Sequence, residues 1–500
     1  MFDRIRRLGS DTAIYGVSTV LGRFLTFLLT PLYTHVLLPG DLGIVAMIYA
    51  YIAVLNVVYG YGMESAYMKY VSTLEQGSKR QVFSVPFFSV SMSGLVFSAA
   101  LGLFAAPAAE VIGVPAQHTV LIVYAAVILF LDVLALIPFA ALRMAHRPKL
   151  FASIKLIGIV VNVVTNVLLL FWARMGIAGI FLSNVISSGL VVALLLPTVV
   201  SQLEFSRPRG LLRALLAFGL PSVPAGLAAM MIQVINRPIL EALRGKEALG
   251  VFQANFRLGI FMMLIVSMFD FAWRPFFLSH ASDSDARQLF ARVLTYFVLL
   301  TTGVFLVLSF FLPAVVTAPL FFGHPLIAAP YWDGLPIISV ILLAYLFLGV
   351  YNNFMAGVYI EKKTRALPPI TAAGAVVNIT ANYALIPPFG LMGAAYATLL
   401  SYVAMAVLLF VASQRWYPVP YEWRRIGTIV LSAAAVFVPA QFCGDDPVGL
   451  LAKIFLLVLF ALLMLGMRFL APSEREGIAA FFRRGQARPE RTDPPQVDPS

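Results

Sequence analysis

Apolar runs of about 20 residues recur along the whole of this 500-residue chain, and each is long enough to cross a membrane as a helix. The residues A, V, I, L, M, F, W, Y and C make up 61% of the sequence, whereas charged residues make up 12%. A water-soluble core cannot bury that much apolar surface. The pattern predicts an all-α polytopic membrane protein, and it excludes a soluble enzyme, a secreted disulfide scaffold and a nucleic-acid-binding domain.

About fourteen such segments are predicted from hydropathy, and we number them in chain order. They fall near 11–36, 41–70, 82–105, 119–143, 150–173, 176–199, 214–238, 247–273, 288–314, 333–359, 366–387, 390–413, 424–442 and 449–470. The polar stretch 202–213 separates segment 6 from segment 7. Because fourteen is even, both termini are expected on the same side of the membrane.

Lysine and arginine cluster in alternate connections between these segments, and positive loops are retained in the cytoplasm. Groups such as Arg4, Arg6 and Arg7 and, later, Lys362, Lys363 and Arg365 mark one side. The opposite loops at 35–41, 106–117, 317–331 and 441–448 contain no lysine or arginine. Both termini are therefore predicted to be cytoplasmic, and most of the net charge of +12 is assigned to topology rather than to a nucleic-acid partner.

The first and second sets of six segments match each other. The matched pairs are Pro31 and Pro238, Gly43 and Gly250, Asn162 and Asn378, and Asn166 and Asn382. Such a parallel repeat predicts two pseudo-symmetric six-helix lobes around a central cavity, as in many transporters. We call residues 1–207 the N-lobe and 208–415 the C-lobe; segments 13 and 14 occupy 416–470, and 471–500 is expected to be a largely disordered cytoplasmic tail. The asparagine pairs are interpreted as helix-packing groups.

Two stretches carry a resemblance to a known family. The first is Asn378-Ile-Thr-Ala-Asn382-Tyr-Ala-Leu-Ile386-Pro387, followed by Gly390-Leu-Met-Gly393-Ala-Ala-Tyr-Ala397-Thr398 and Ser401; the second is Pro31-Leu-Tyr33-Thr34-His-Val-Leu37-Leu-Pro39-Gly-Asp41-Leu-Gly43. Over roughly residues 8–470 the sequence resembles the multidrug/oligosaccharidyl-lipid/polysaccharide (MOP) exporter superfamily. It is most similar to the polysaccharide-synthesis branch, which contains O-antigen and exopolysaccharide flippases.

The resemblance implies a V-shaped pair of lobes that moves an undecaprenyl-pyrophosphate-linked oligosaccharide across the bacterial inner membrane by alternating access. The product would enter O-antigen, capsule or exopolysaccharide synthesis, with membrane lipids and a polysaccharide polymerase or ligase as partners. Segments 13 and 14 are shared with the lipid II flippases of peptidoglycan synthesis, so that substrate stays as the alternative. A multidrug or cation antiporter is less favoured, because that branch usually has twelve helices.

Arginine residues in the middle of membrane segments are candidates for substrate binding, because a charge there is costly unless it faces water or a partner. Arg23 lies halfway along segment 1, and Thr26 and Thr30 continue a polar stripe from it. Arg257 lies in segment 8, with Gln253 one turn earlier. A guanidinium binds phosphate oxygens in bidentate fashion, so both arginines are predicted to hold the pyrophosphate. The alternative is that each is held within its own lobe and fixes packing.

Other polar residues within the segments are open to two readings. Asp132 is either a structural partner of the arginines or a protonatable group that couples transport to H⁺ or Na⁺. Glu64, Asp270 and Arg274 are either a cytoplasmic gate or solvated charges at helix ends, and Lys155 is expected to extend to the cytoplasmic surface. The amides that can bond sugar hydroxyls are Gln233, Asn236, Asn352 and Asn353. Pro221 and Pro224 are expected to bend segment 7.

The sequence offers no support for covalent or metal chemistry. Cys443 is the only cysteine, and the five histidines are dispersed, so no metal cofactor is expected. No Ser-His-Asp set or phosphate loop is recognisable, and the chain is not expected to be an enzyme. A membrane glycan polymerase or ligase is the hypothesis from a different class, and the short outer loops weigh against it.

Overall fold

The computed structural model describes residues 21–466 apart from 23, 75–76, 206–209 and 320–322. Its regular elements are all helical in this part of the chain. Twelve of the described helices are long and apolar enough to cross a membrane, and side chains such as Leu103 and Trp172 are each 83% exposed. The prediction of an all-α multi-pass membrane protein is confirmed.

The count of fourteen spans stays a prediction. Segment 1 falls partly outside the described residues, and its described part is the shorter apolar helix Phe24–Val36. Segments 7 and 8 lie within one helical stretch, Leu211–Ser279, which counts once among the twelve. The predicted tail, 471–500, also lies outside the described residues.

The N-lobe consists of helices whose ends are set by proline and by side-chain capping. Pro39 and Pro148 begin two of them, at a position where the missing N–H costs no hydrogen bond. Ser78 and Gln81 form a capping box at another start. The helices are α1 Leu29–Val36, α2 Pro39–Gly60, α3 Met63–Thr73, α4 Lys79–Leu103, α5 Ala105–Val111, α6 Val120–Met144, α7 Pro148–Val167 and α8 Ile177–Gln202.

The C-lobe helices continue the series, and proline interrupts the first of them. A 3₁₀ turn at Leu220–Ser222 contains Pro221, so the α-helix of segment 7 is interrupted where a bend is predicted. The helices are α9 Leu211–Gly219, α10 Val223–Val234, α11 Asn236–Phe256, α12 Ile260–Ser279, α13 Ala286–Thr317, α14 Ile337–Ile360, α15 Leu367–Phe389 and α16 Leu391–Trp416.

The break predicted between segments 7 and 8 is present at Gly245, but it is shorter than the predicted gap, because helical structure on both sides extends into residues 239–246. Most residues of this stretch are leucine, alanine, glutamate, arginine and lysine, which are good helix formers. Only Gly245 leaves the helical conformation, with φ 83° and ψ 175°. Glycine adopts such a positive φ without a Cβ clash, so the connection is a kink rather than a loop.

The predicted repeat has a counterpart in hydrogen bonding. Asn166 Nδ2 donates to the carbonyl oxygen of Asn162 at 2.8 Å and to its side-chain oxygen at 3.2 Å. Asn382 Nδ2 makes the same two bonds to Asn378, at 2.8 and 2.9 Å. The amides of Asn162 and Asn378 then each donate to the following helix. These contacts support the packing role of the asparagine pairs, whereas the lobe boundaries stay predictions.

Two compact units are distinguished by their internal packing, and they divide after Tyr421. In the first unit, apolar clusters form around Leu142, Phe151 and Ile154 of the N-lobe and around Trp273, Phe277 and Phe290 of the C-lobe. The second unit begins at Glu422 and contains α17 Trp423–Ala440 and α18 Pro447–Gly466. Within it, the buried Lys453 ammonium pairs with Asp445 at 2.5 Å.

Candidate functional site

A polar cavity of about 850 Å³ lies among helices α2, α6, α7 and α8 of the N-lobe and reaches helix α11 of the C-lobe. Its wall carries more cationic than acidic side chains. The cations are Arg143, Lys155, Arg237 and Arg257, and the carboxylates are Glu64 and Asp132. We call this space the arginine cavity. Its excess of positive charge favours an anionic ligand over a cationic one.

Arg237 and Arg257 both lie at interruptions of helical structure. Pro238 follows Arg237 and cannot donate a backbone hydrogen bond, and α10 ends at Val234 just before it. Arg257 begins a 3₁₀ turn, Arg257–Gly259, between α11 and α12. Short 3₁₀ pieces inside long helices often occur at functional hinges, and broken helices line the binding sites of many transporters.

The Arg257 guanidinium is held by an aromatic ring rather than by a carboxylate. Its Cζ lies 5.6 Å from the centroid of the Tyr33 ring, and Tyr33 Oη in turn donates to Asn166 Oδ1 at 2.9 Å. Among the described residues, no carboxylate lies within 4 Å of a side-chain nitrogen of Arg237 or Arg257. Both guanidiniums are therefore available to an anion that enters the cavity.

Asp132 lies in the wall of the same cavity but is not paired with these arginines. Ser188 Oγ donates to Asp132 Oδ1 at 3.1 Å, so the carboxylate is oriented by a hydroxyl from helix α8. The proposed structural pairing of Asp132 with an arginine is not seen within the described part of the chain. In that same part, no group of three His, Cys, Asp or Glu side chains can hold a metal ion.

The residues predicted as a cytoplasmic gate pair within their own lobes. Glu64 forms an ion pair with Arg143 in the N-lobe. Asp270 pairs with Arg274, one helical turn later on α12, at 3.2 Å. Neither ion pair connects the two lobes, because both partners of each pair lie in the same lobe. The cytoplasmic gate stays a prediction.

The predicted polar residues divide between two larger cavities. Thr26 and Gln253 line the arginine cavity, whereas Gln233, Asn236, Asn352 and Asp270 line a second cavity of about 1330 Å³ in the C-lobe. A smaller cavity of about 440 Å³ shares lining residues with both.

Two of the predicted polar residues are buried outside these walls. Thr30 and Asn353 are 1% and 2% exposed and are absent from all three walls. Helical spacing fixes the face on which a residue lies but not whether that face borders a cavity. Arg23 lies outside the described residues.

Two cations of the cavity walls were not assigned to a cavity from the sequence. Arg237 lines all three cavities, but it is the next-to-last residue of predicted segment 7 and resembles a charge at a helix end. The neighbours Asn236 and Pro238 were the sequence features that could have indicated a break in the helix at Arg237. Lys155 lines the arginine cavity and lies 4.9 Å from the centroid of the Phe151 ring, so it contributes to the cavity wall.

One end of the arginine cavity is closed by a crossing of helices α2 and α11. A Cβ on Gly43 would lie 2.9 Å from the carbonyl carbon of Lys246, and a Cβ on Gly250 would lie 2.7 Å from that of Pro39. The two contacts are equivalent. Gly43 packs on Lys246, four residues before Gly250, and Gly250 packs on Pro39, four residues before Gly43. Ala46 and Gln253 line the cavity just inside this crossing. We call it the glycine crossing.

The connection between α13 and α14 adds a latch at the same end. The Tyr331 side chain is fully buried, and its hydroxyl donates to the carbonyl oxygen of Leu37 at 3.0 Å. The carbonyl oxygen of Tyr331 accepts from Asn255 Nδ2 at 2.8 Å. Burial raises the pKa of the Tyr331 phenol, so the hydroxyl remains a donor at neutral pH. The latch therefore contacts both lobes.

Comparison with solved structures shows a shared fold. The chain is 15% identical to a lipid II flippase MurJ in an inward closed conformation, with a TM-score of 0.71, covering 90% of this chain and 98% of that one. The chain is also 15% identical to an inward-facing multidrug resistance MATE family transporter of the MOP superfamily. The TM-score is 0.65, and the match covers 79% of this chain and 94% of that one. For an outward-facing multidrug resistance MATE family transporter the identity is 14% and the TM-score is 0.57, and the match covers 81% of this chain and 95% of that one.

The sequence comparisons add the family. No curated protein sequence matches the chain. The sequence model of the polysaccharide biosynthesis protein family matches residues 8–280, which is more than half of the chain. The chain therefore belongs to the polysaccharide biosynthesis protein family.

Proposed function

We propose that the protein is a flippase that moves an undecaprenyl-pyrophosphate-linked oligosaccharide across the membrane by alternating access. The observation that carries the proposal is the pair Arg237 and Arg257, which lack a carboxylate partner among the described residues and share one cavity wall. A pyrophosphate presents several anionic oxygens in a compact group. Planar guanidiniums bind such oxygens in bidentate fashion and stay charged within the membrane.

The closed glycine crossing assigns a direction to the cycle. The distribution of lysine and arginine supports a periplasmic position for the crossing, and the arginine cavity would then be closed on that side. The fold also agrees better with the inward-facing MATE structure than with the outward-facing one. The headgroup would enter from the cytoplasm and be held by the arginines. Opening the crossing and closing the cytoplasmic end would then release it to the outer leaflet.

Charge removal at the arginines tests the proposal. Arg257→Gln and Arg237→Gln each remove charge-assisted hydrogen bonds, and we expect the translocation rate at subsaturating substrate to fall roughly tenfold to 150-fold. The assay uses purified protein in proteoliposomes with a fluorescent undecaprenyl-pyrophosphate oligosaccharide. Arg365→Gln is the matched control, because Arg365 is exposed and lies in none of the three cavity walls. Full activity of both cavity variants would overturn the assignment.

Lipid II is the second candidate substrate. The observation in its favour is the agreement of the fold with a lipid II flippase over 90% of this chain. Lipid II carries the same pyrophosphate, so the arginines suit it equally well, and the distinction depends on the group beyond the phosphates. Translocation of fluorescent lipid II in the same proteoliposomes, faster than that of the oligosaccharide lipid, would favour this candidate.

The energy source, location and partners belong to the same proposal. Asp132, in the wall of the arginine cavity, is the candidate for coupling to H⁺ or Na⁺, because it is a carboxylate held by a hydroxyl rather than by a cation. The distribution of lysine and arginine supports an inner-membrane protein with both termini in the cytoplasm. A polysaccharide polymerase or ligase would receive the product on the outer side.

A further inference from the structure

The second cavity has a different chemical character from the arginine cavity. It measures about 1330 Å³, and its charged lining residues among those described are Arg237 and Asp270. Asp270 is paired with Arg274 at 3.2 Å, which leaves the wall dominated by uncharged groups. The uncharged polar ones are Gln233, Asn236, Ser267, Asn352, Thr371, Thr398, Tyr345, Tyr351 and Tyr402. We call this space the amide cavity.

The amides in this wall have unused hydrogen-bonding capacity. Asn236 is 4% exposed, and its Oδ1 has no hydrogen-bond partner within the described part of the chain. Gln233 and Asn352 also line the cavity, and the described contacts give neither side chain a hydrogen bond. A buried amide oxygen such as that of Asn236 is costly unless a ligand or another polar group satisfies it. The wall therefore offers donors and acceptors to a polar, uncharged ligand.

Tyrosine rings line the same wall together with aliphatic, methionine and phenylalanine side chains. Tyr345 and Tyr402 are 9% and 7% exposed, and their ring centroids lie 6.4 Å apart. A sugar ring has C–H groups on its faces and hydroxyls around its rim. Aromatic faces next to amide groups match both features, since a tyrosine combines an apolar body with a polar tip.

The amide cavity and the arginine cavity are neighbours that share lining residues. Arg237 lines both. The smaller cavity shares Gln253 and Arg257 with the arginine cavity, and it shares Phe256 and Tyr345 with the amide cavity. A group covalently attached to an anion held at Arg257 and Arg237 would therefore lie next to the amide cavity.

We propose that the amide cavity binds the neutral sugars adjacent to the pyrophosphate and that it sets which glycans are accepted. This inference rests on the proposed flippase function, and it adds a second subsite with its own chemistry. The arginines would hold any undecaprenyl pyrophosphate. Asn236, Asn352 and Gln233 would distinguish the glycosylated lipid from the bare one, and they would disfavour sugars without hydroxyls in matching positions.

The test compares two probes on the purified full-length protein in lipid nanodiscs. One is undecaprenyl pyrophosphate, and the other is the same lipid carrying a neutral disaccharide of N-acetylglucosamine and galactose. The measured quantity is the ratio of the two dissociation constants. In Asn236→Leu and Asn352→Leu we expect the preference for the glycosylated probe to fall roughly fivefold to tenfold, as one lost hydrogen bond implies. Arg257→Gln should weaken the binding of both probes and leave the ratio of their dissociation constants unchanged.

Controls keep the outcomes separate. Gln117→Leu removes an exposed amide outside the cavity walls and should change neither constant. If Asn236→Leu does not fold, the ratio of the two dissociation constants is measured in Asn352→Leu and Gln233→Leu instead. Gln233 is an exposed side chain, so its replacement should not prevent folding. Equal binding of both probes by the wild-type protein, or amide variants with an unchanged ratio, would overturn the sugar subsite alone. Failure of the wild-type protein to bind either probe would overturn the proposed function as well.

Discussion

The glycine crossing allows a sharp test of the closed end of the cavity. The perturbation is Gly250→Ala, which adds one methyl group where α2 and α11 meet. The added Cβ would lie 2.7 Å from the carbonyl carbon of Pro39 and 3.0 Å from the backbone nitrogen of Gly43. Both obstacles are backbone atoms, which cannot rotate away as a flexible side chain would. The two helices must therefore separate to accept the methyl group.

The size of the effect follows from the cost of overpacking. Forcing a methyl group into a packed contact costs about 1–3 kcal/mol. This cost applies to the closed crossing and disappears when the helices part, so the closed-to-open ratio should fall roughly fivefold to 150-fold. Alanine also stabilises a helix by up to about 1 kcal/mol relative to glycine. That gain is the same in both states and does not change the ratio.

Thiol labelling measures the shift. In a Cys443→Ser background, which has no other cysteine, Ala46→Cys places a thiol in the cavity wall just inside the crossing. A membrane-impermeant maleimide added from the periplasmic side should label the Gly250→Ala variant faster than the parent. Gly303→Ala on α13 is the control, because a Cβ there meets no atom within 4 Å. Equal labelling of both variants would show that the crossing does not close the cavity.

Three further predictions concern other contacts. Tyr331→Phe leaves the Leu37 carbonyl without its donor, and it should raise labelling from the periplasmic side by roughly fivefold or more; unchanged labelling would exclude a latch. Asp132→Asn should retain downhill flipping but lose any acceleration by an imposed ion gradient in proteoliposomes, whereas retained acceleration would exclude Asp132 as the coupling group. Glu64→Gln breaks the pair with Arg143, and since both side chains are about one-third exposed it should lower the unfolding free energy by less than about 1 kcal/mol. A thermal-melt comparison with Arg143→Gln and the double variant checks this value, and additive effects would show that the pair contributes nothing.

Hydropathy predicted most helices of this fold to within a few residues. Segment 3, expected near 82–105, is helix Lys79–Leu103, and segment 10, expected near 333–359, is Ile337–Ile360. Membrane helices leave this strong signal because every turn facing lipid must be apolar. The connection at 239–246 is shorter than predicted. Its charged residues resemble a loop, although their helix propensity keeps all but Gly245 helical.

The candidate site was only partly predictable. Arg257 and Asp132 were identifiable because a charge in the middle of an apolar segment is costly. Arg237 was missed because its place beside Pro238 resembles the end of a helix, and the break there became evident only in the fold. Thr30 was assigned to the cavity from helical spacing, yet it is buried outside the cavity walls. Sequence gives the face of a helix, whereas tertiary packing decides what that face contacts.

The most direct test of the central claim is translocation by the wild-type protein. Purified protein is reconstituted into liposomes with a fluorescent undecaprenyl-pyrophosphate oligosaccharide, and an impermeant quencher reports which leaflet holds the headgroup. The account predicts that headgroups exchange between leaflets far faster than in protein-free liposomes and that Arg257→Gln slows the exchange. Exchange no faster than in protein-free liposomes, from a preparation shown to be folded and inserted, would contradict the account.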